Sequence, residues 1–225
     1  MMDDGLDALR ERGEAFLVEL SREYYQAHSG LKDGAELQPI FKRHEGAYGD
    51  EAMYEVLERF QSAPAGSEAH RSARLLLDWL VESRCGRELA PLEEREIAWE
   101  GAAIIRGNDG AEEPYQRAAI TIANTRDKKE RQALDDARAA LVQAELAPMK
   151  LERLQKEHDV VSGLGIADDY IGTWERLSGF AIRPLRDECA AFLRDTQGMW
   201  DDVLPGFLKR GLKLSPADAT RADAV

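Results

Sequence analysis

Cysteine is scarce in this sequence. The 225-residue chain has two cysteines, Cys85 and Cys189, and neither belongs to a C-x-x-C pair. Paired-cysteine metal and redox motifs are therefore excluded. The acidic start, MMDDGLDALRERGEAF, lacks the basic and apolar regions of a secretory signal. Because two free thiols are typical of a reducing compartment, we expect a cytoplasmic protein.

Long hydrophobic runs and positive charge are also lacking. The most apolar stretch, LLLDWLV at residues 75–81, is far shorter than the roughly 20 residues of a transmembrane helix and contains Asp78. Lys and Arg number 30 against 43 Asp and Glu, which gives a formal net charge of -13. Phosphate backbones bind proteins mainly through Lys and Arg. We therefore expect neither a membrane nor a nucleic acid as a partner.

The remaining composition is that of a folded, helix-rich protein. Hydrophobic residues make up 44% of the chain and charged residues 32%, well away from the disordered range. A chain of this length can bury a core without disulfides or metals. We predict a mainly α, multi-helix single domain over residues 1–215, followed by a small, polar tail at 216–225 that frays.

Apolar spacing predicts the helices of the first half. The first helix has a face that begins with Leu6, Leu9 and Phe16 and ends near Ser29. Another opens at Ser67, a capping residue type, and is expected to end at Cys85-Gly86. A further helix is predicted from Pro91, because proline is favourable in a first turn.

The residue pattern between 102 and 123 differs from that of the predicted helices before it. AAIIR at 102–106 and YQRAAITIA at 115–123 are short and partly β-branched, and the turn residues Gly107-Asn108-Asp109-Gly110 lie between them. This pattern predicts a small β-hairpin. Because the runs are short and rich in alanine, a helical interpretation of them stays open.

Helices are again predicted after the hairpin. Asn124 or Thr125 can cap a long helix whose apolar side carries Leu134 and Leu141. Pro148 starts or kinks the next segment. A short helix at 166–177 and a long last helix with Pro205 as a kink follow. The domain is thus expected to have two halves, about 1–100 and 124–215, joined by the hairpin.

The histidines do not predict a metal site. A helical zinc site needs ligands that return to one face three or four residues later. His44-Glu45 begins like H-E-x-x-H, but position 48 is tyrosine. His28, His70 and His158 also lack such partners, so we predict no metal ligand and no catalytic residue in this chain.

The other chemical patterns are equally incomplete. Adjacent acidic residues such as Asp168-Asp169 point in different directions on a helix and make no carboxylate pair. Gly163-Leu164-Gly165 starts like a nucleotide-binding loop but lacks its third glycine. Tyr170 and Trp174, four residues apart on one helix face, are the candidate peptide-binding residues, although such pairs are more often part of a core.

Four stretches carry a resemblance to a known family. They are REYYQAHSGLKDGAELQPIFKRH, YQRAAITIANTRDKKERQALDDARAAL, GLGIADDYIGTWERLSG and AAFLRDTQGMWDDVLPGFL. In this succession, over about residues 20–214, the chain resembles the N-terminal helical part of oligoendopeptidase-like and thimet-oligopeptidase-like zinc peptidases. That part is helical with small β elements and forms one wall of a substrate channel.

The resemblance implies a channel-wall domain that lacks the zinc ligands and the catalytic residues of the family. The zinc-binding H-E-x-x-H helix and its downstream Glu ligand belong to a part of the family that this sequence does not contain. The chain is therefore expected to be inactive alone, with zinc confined to the missing catalytic part. Its expected partner is that part or another protein, and an oligopeptide is its indirect ligand.

Two rival functions remain. The first is the channel-wall domain, which should expose an apolar face where the catalytic part docks. The second is a self-contained helical binding or scaffold protein that has lost the peptidase chemistry, for which a fully polar surface is expected. A stand-alone hydrolase ranks lowest, because no nucleophile, base and orienting group can be assembled.

Overall fold

The protein is mainly helical with one small hairpin, as the sequence predicts. The structure, a computed structural model, describes residues 4–107 and 110–223. The helices have these bounds: α1 Asp4–His28, α2 Leu37–Arg43, α3 Asp50–Ser62, α4 Glu68–Ala102, α5 Tyr115–Asn124, α6 Lys128–Leu141, α7 Ala147–Gly163, α8 Tyr170–Ser178 and α9 Ile182–Gly211. Short 3-10 turns occur at Glu45–Ala47 and Arg221–Asp223. Within the described ranges, no helix combines the length and the apolar character that a bilayer span requires.

The hairpin is shorter than predicted. Strand β1, Ile104–Arg106, pairs antiparallel with β2, Glu112–Pro114. The predicted second strand at 115–123 is instead helix α5, because Ala118 and Ile122 are the residues it buries and they are four apart. Of the predicted turn, Asn108 and Asp109 lie outside the described residues.

Helix α4 runs without interruption through both positions where a boundary was predicted. Gly86 does not end it, because this glycine serves close packing: a Cβ there would lie 2.7 Å from Cζ of Phe41. Pro91 lies inside the helix rather than at its start. The buried neighbours Leu89 and Ala90 hold this part of α4 in the core, which outweighs the hydrogen bond that proline cannot donate.

The N-cap of helix α6 is Asp127, two or three residues after the predicted cap at Asn124 or Thr125. The Asp127 carboxylate accepts a hydrogen bond from the Glu130 amide at 2.9 Å, which is the geometry of an N-cap. Asn124 donates its side-chain amide to the Ile120 carbonyl and belongs to α5. Before Pro148, a π-helical turn at Val142–Leu146 connects α6 to α7, so the chain stays helical where a new start or a kink was predicted.

The segments group differently from the predicted halves. One compact unit consists of Met1–Gly101 and Pro148–Phe180, and the other of Ala102–Ala147 and Ala181–Val225. The hairpin therefore belongs with α5 and α6, while α7 and α8 belong with the first four helices. Apolar spacing identifies which residues are buried but not which segments share a core. It therefore cannot predict that α7 and α8 belong with the first four helices.

An aromatic cluster occupies the core of the first unit. Phe16 on α1 has its ring centroid 5.3 Å from that of Phe41 and 5.4 Å from that of Tyr48, and it meets Trp79 edge-on at 6.4 Å. The Tyr48 hydroxyl donates to the Phe41 carbonyl, and burial raises the pKa of Tyr48 to about 12. These rings join α1, α2 and α4.

Carboxylate side chains accept hydrogen bonds from backbone amides around this core. Glu94 on α4 accepts hydrogen bonds from the Leu37 amide at 2.5 Å and the Gln38 amide at 2.9 Å, so it caps α2 from another helix. Buried Glu23 accepts from Lys32 Nζ at 2.6 Å and from the Glu36 amide at 2.8 Å. Burial alone raises the pKa of Glu23, but these hydrogen bonds bring it below its ordinary value.

The C-terminal tail contacts α6 within the second unit. Arg221 donates to the buried Asp135 carboxylate at 2.8 Å, and Arg131 donates to Asp223. Ala222 between them is buried. Two arginine contacts to buried carboxylates therefore offset the conformational entropy that residues 215–223 lose, in a segment for which the sequence predicts fraying from residue 216.

Removing the Asp223 charge is expected to release this tail. Burial alone raises the pKa of Asp223, but hydrogen bonds from Arg131 and Thr220 hold it below its ordinary value. The contact is thus stabilising above the unfolded-state pKa of about 4 and is lost as the pH falls through the lower folded-state pKa. For Asp223→Asn we expect tryptic cleavage after Arg221 at pH 7 to accelerate roughly tenfold, since a hydrogen-bonded charge is lost.

The exposed Asp187→Asn variant is the matched control and should leave the cleavage rate unchanged. In wild type, hydrogen exchange of the tail amides should show protection at pH 6 that disappears below about pH 4. Equal cleavage rates in both variants would contradict a role for Asp223 in tail docking.

Candidate functional site

The two sequence-predicted site residues lie together on α8. The Tyr170 and Trp174 rings meet edge-on with centroids 6.2 Å apart, and the His158 ring stacks on Tyr170 at 5.3 Å. The Tyr170 hydroxyl donates to Glu157 at 2.7 Å, and burial together with this hydrogen bond raises its pKa. Both aromatic side chains pack against the core of the first unit. Their peptide-binding role stays a prediction.

The histidines are distributed among separate structural contacts. His28 stacks on Tyr24 at 6.0 Å, and His70 packs on Phe60 at 4.7 Å. The ring of His44 is hydrogen-bonded to Glu19 at 2.7 Å. Across residues 4–107 and 110–223, no three His, Cys, Asp or Glu side chains are arranged to hold a metal ion.

The two cysteines differ sharply in exposure. Cys85 is buried, and desolvation together with the nearby Glu157 and Glu82 charges raises its pKa to about 12, which keeps it a neutral thiol. Cys189 is exposed on α9. Chemical modification of the native protein should therefore occur at Cys189.

Helix α9 presents the largest uncovered apolar surface on any one helix of the described chain. None of its 30 residues is buried. Seven large apolar side chains on it are between 45% and 68% exposed: Leu185, Phe192, Leu193, Met199, Trp200, Val203 and Phe207. We call these seven residues the α9 apolar row.

The α9 apolar row forms one continuous stripe. At about 100° per residue, its members fall within an arc of roughly 120°. From Leu185 to Phe207 the stripe is about 33 Å long, at 1.5 Å per residue. With about 200 Å² for a large side chain, the exposed area is roughly 800 Å², more than the largest patch of a typical monomer.

Charge borders the row on one edge. Glu188, Asp195 and Asp202 follow one another at intervals of seven residues and lie side by side along the helix. On the other edge Arg186 pairs with Asp187 at 2.7 Å. The row is thus an apolar surface with an acidic border.

Sequence reasoning identified the spacing of this helix but not its exposure. Leu185, Phe192, Met199 and Val203 recur at steps of seven and four, a pattern that a buried helix and a docking helix share. The one available signal was the three acids at seven-residue intervals beside the stripe, because a buried edge seldom carries unpaired charge.

Comparisons with models of known protein families, with curated proteins and with solved structures returned no match.

Proposed function

We propose that this protein is a non-catalytic helical domain that binds another polypeptide through the α9 apolar row. In the terms of the resemblance, that polypeptide is the H-E-x-x-H part of a zinc oligopeptidase-like protein, and this chain forms a wall of its substrate channel. The observation that carries the proposal is the row itself, exposed along about 33 Å of helix. An exposed apolar face is the feature expected of the wall domain.

The size of the row favours a protein partner. A stable protein interface buries about 800 Å² on each side, which is close to the area that the row exposes. Aromatic residues and methionine, here Phe192, Met199, Trp200 and Phe207, are enriched in such interfaces. The row thus has both the area and the composition of an interface core.

The acidic border favours a partner other than a second copy. If two copies of α9 packed antiparallel, Glu188, Asp195 and Asp202 would face the same acids of the other copy, and in a parallel pair they would face apolar positions. Neither arrangement neutralises the charge. A helix or sheet face that carries apolar residues beside Lys or Arg fits this border.

The border also disfavours a membrane surface. Helices that lie on bilayers carry Lys and Arg on their polar face, and anionic lipids repel acids. The alternative of a self-contained scaffold predicts a fully polar surface, which the exposed row does not match. We place the protein in the cytoplasm, in agreement with its two free thiols.

Cys189 reports directly on occupation of the row. It lies within the arc of the stripe, between Leu185 and Phe192, and is exposed, whereas Cys85 is buried. The purified chain is mixed with a recombinant H-E-x-x-H catalytic part of an oligoendopeptidase-like peptidase from the same organism. We expect iodoacetamide modification of Cys189 to slow at least tenfold in the mixture, because a docked helix face excludes the reagent.

Two further measurements test whether the chain is catalytic alone and whether it stays folded in the mixture. A fluorogenic oligopeptide should be cleaved by the mixture and not by this chain alone, and Cys85 should remain unmodified throughout as an internal control for folding. Unchanged Cys189 modification would contradict docking through the row. Chelator-sensitive cleavage by this chain alone would overturn its assignment as non-catalytic.

A further inference from the structure

A basic pocket lies in the first unit. Its volume is about 730 Å³. The lining side chains that carry or can carry positive charge are His70, Arg71, Arg74 and Arg176, and no carboxylate of residues 4–107 or 110–223 lines the pocket. The pocket thus gathers positive charge in a chain whose net charge is -13.

The wall of the pocket is built around Phe60. The His70 ring packs on Phe60 with centroids 4.7 Å apart, and the Arg176 guanidinium lies 5.4 Å from the centroid of the same ring. Arg176 also donates to the Ile166 carbonyl at 2.7 Å. These contacts place an imidazole and a guanidinium against the same aromatic ring.

Arg74 is held in place at the end of α8. Its guanidinium donates to the Leu177 carbonyl and packs against Gly179, the residue that ends α8 with a φ of 78°. A Cβ at Gly179 would lie 3.2 Å from Cζ of Arg74. Glycine therefore provides both the left-handed backbone and the space that Arg74 occupies.

Arg71 differs from the other two arginines. Among the residues that the structure describes, its guanidinium has no hydrogen-bonding or ion-pair partner. It lies on the first turns of α4, where Ser67 Oγ accepts from the His70 amide. Arg74 contacts the end of α8, and Arg176 contacts the Ile166 carbonyl and the Phe60 ring. Among the described residues, no comparable polar contact accounts for Arg71.

We propose that this pocket binds a small phosphorylated ligand. A guanidinium presents a planar fork of donors that matches the oxygens of a phosphoryl group, and three arginines can neutralise the two or three charges that such a group or a diphosphate carries. A long nucleic acid does not fit, because the acidic remainder of the chain repels it. The volume is within the range of pockets that hold small molecules. This assignment is independent of the α9 apolar row.

The test uses the full chain and pyrophosphate as the probe, at constant ionic strength. Isothermal titration should show saturable binding of one pyrophosphate, with shifts of the Gly66 and Gly179 amide resonances. Arg71→Gln should raise the dissociation constant about tenfold, the effect of losing one charge-assisted contact. Because the exposed Arg71 side chain has no hydrogen-bonding or ion-pair partner among the described residues, the melting temperature of the Arg71→Gln variant without ligand should equal that of wild type.

Arg12→Gln is the matched control, since Arg12 is an exposed residue of the same unit and its loss changes the net charge equally. It should change the dissociation constant by less than twofold. Equal weakening by both variants, or no saturable binding to wild type, would overturn the site. Citrate binding tighter than pyrophosphate would overturn the phosphoryl assignment, because citrate carries similar charge on carboxylates.

Discussion

Replacing Phe16 by alanine is expected to lower the free energy of unfolding of the first unit by about 3–5 kcal/mol, the range found for large aromatic residues removed from cores. Phe16 is 1% exposed and touches rings from α2 and α4, as well as His44 at 5.6 Å. The alanine leaves a cavity among rigid rings that cannot collapse, and it also removes the edge contacts between the aromatic groups. Urea unfolding monitored by tryptophan fluorescence measures this loss.

Two further variants serve as controls, one at Phe16 itself and one at an exposed position of α1. Phe16→Leu keeps most of the volume and should cost less than half as much. Val18→Ala, at a position that is 60% exposed on α1, should change stability by less than about 0.5 kcal/mol. A cost for Phe16→Ala no larger than that for Val18→Ala would contradict the central role of Phe16 in joining the helices.

Replacing Phe192 and Trp200 together by serine is expected to weaken binding of the proposed H-E-x-x-H partner at least 100-fold while leaving the fold unchanged. Central aromatic residues of an interface each contribute about 2 kcal/mol or more, and a loss of about 2.7 kcal/mol already corresponds to 100-fold. In the free chain both side chains are more than half exposed, so the variant loses almost no burial. Surface plasmon resonance with the H-E-x-x-H polypeptide measures the affinity, and circular dichroism checks the helix.

The opposite face of α9 supplies the control. Arg194→Ser with Asp201→Ser changes two residues of the same helix outside the apolar row and should alter the affinity by less than threefold. Binding of a hydrophobic dye to the free chain provides a readout that needs no partner: it should fall for the Phe192 and Trp200 variant only. Equal affinities of the two double variants would exclude the row as the docking surface.

The sequence predicts helix faces well and helix limits poorly, for reasons that particular residues make clear. Leu6, Leu9 and Phe16 are buried as their spacing predicts, because the period of an amphipathic helix depends on sequence alone. Gly86 and Pro91 have the local character of helix boundaries in the sequence. They lie inside α4 because of packing against residues that are distant in sequence, such as Phe41 for Gly86. Tertiary contacts thus override local breaking signals.

The candidate site was less predictable than the fold. Tyr170 and Trp174 do meet on one face of α8, but their hydrogen bonding and packing depend on Glu157 and on the core of the first unit. The pocket around Phe60 joins residues of α3 and α4 to Arg176 of α8, which is more than 100 positions further along the chain. Its basic residues are inconspicuous in a chain with 30 Lys and Arg, so only the folded structure brings them together.

The division of the chain into two units has a consequence for the timing of folding during translation. The first unit needs Val161, Ile166 and Leu177 to complete a core that begins with Leu6, so its closure must wait until about residue 180 has left the ribosome. At about 5–20 residues per second, synthesis of residues 102–180 takes roughly 4–16 seconds. The 46 residues that separate the two parts of this unit emerge in between, while the apolar faces of α1 and α4 are still incompletely covered. Chaperones that bind exposed apolar segments should therefore associate with ribosome-bound chains that have emerged to a point between residues 101 and 180 more than with chains that have emerged further.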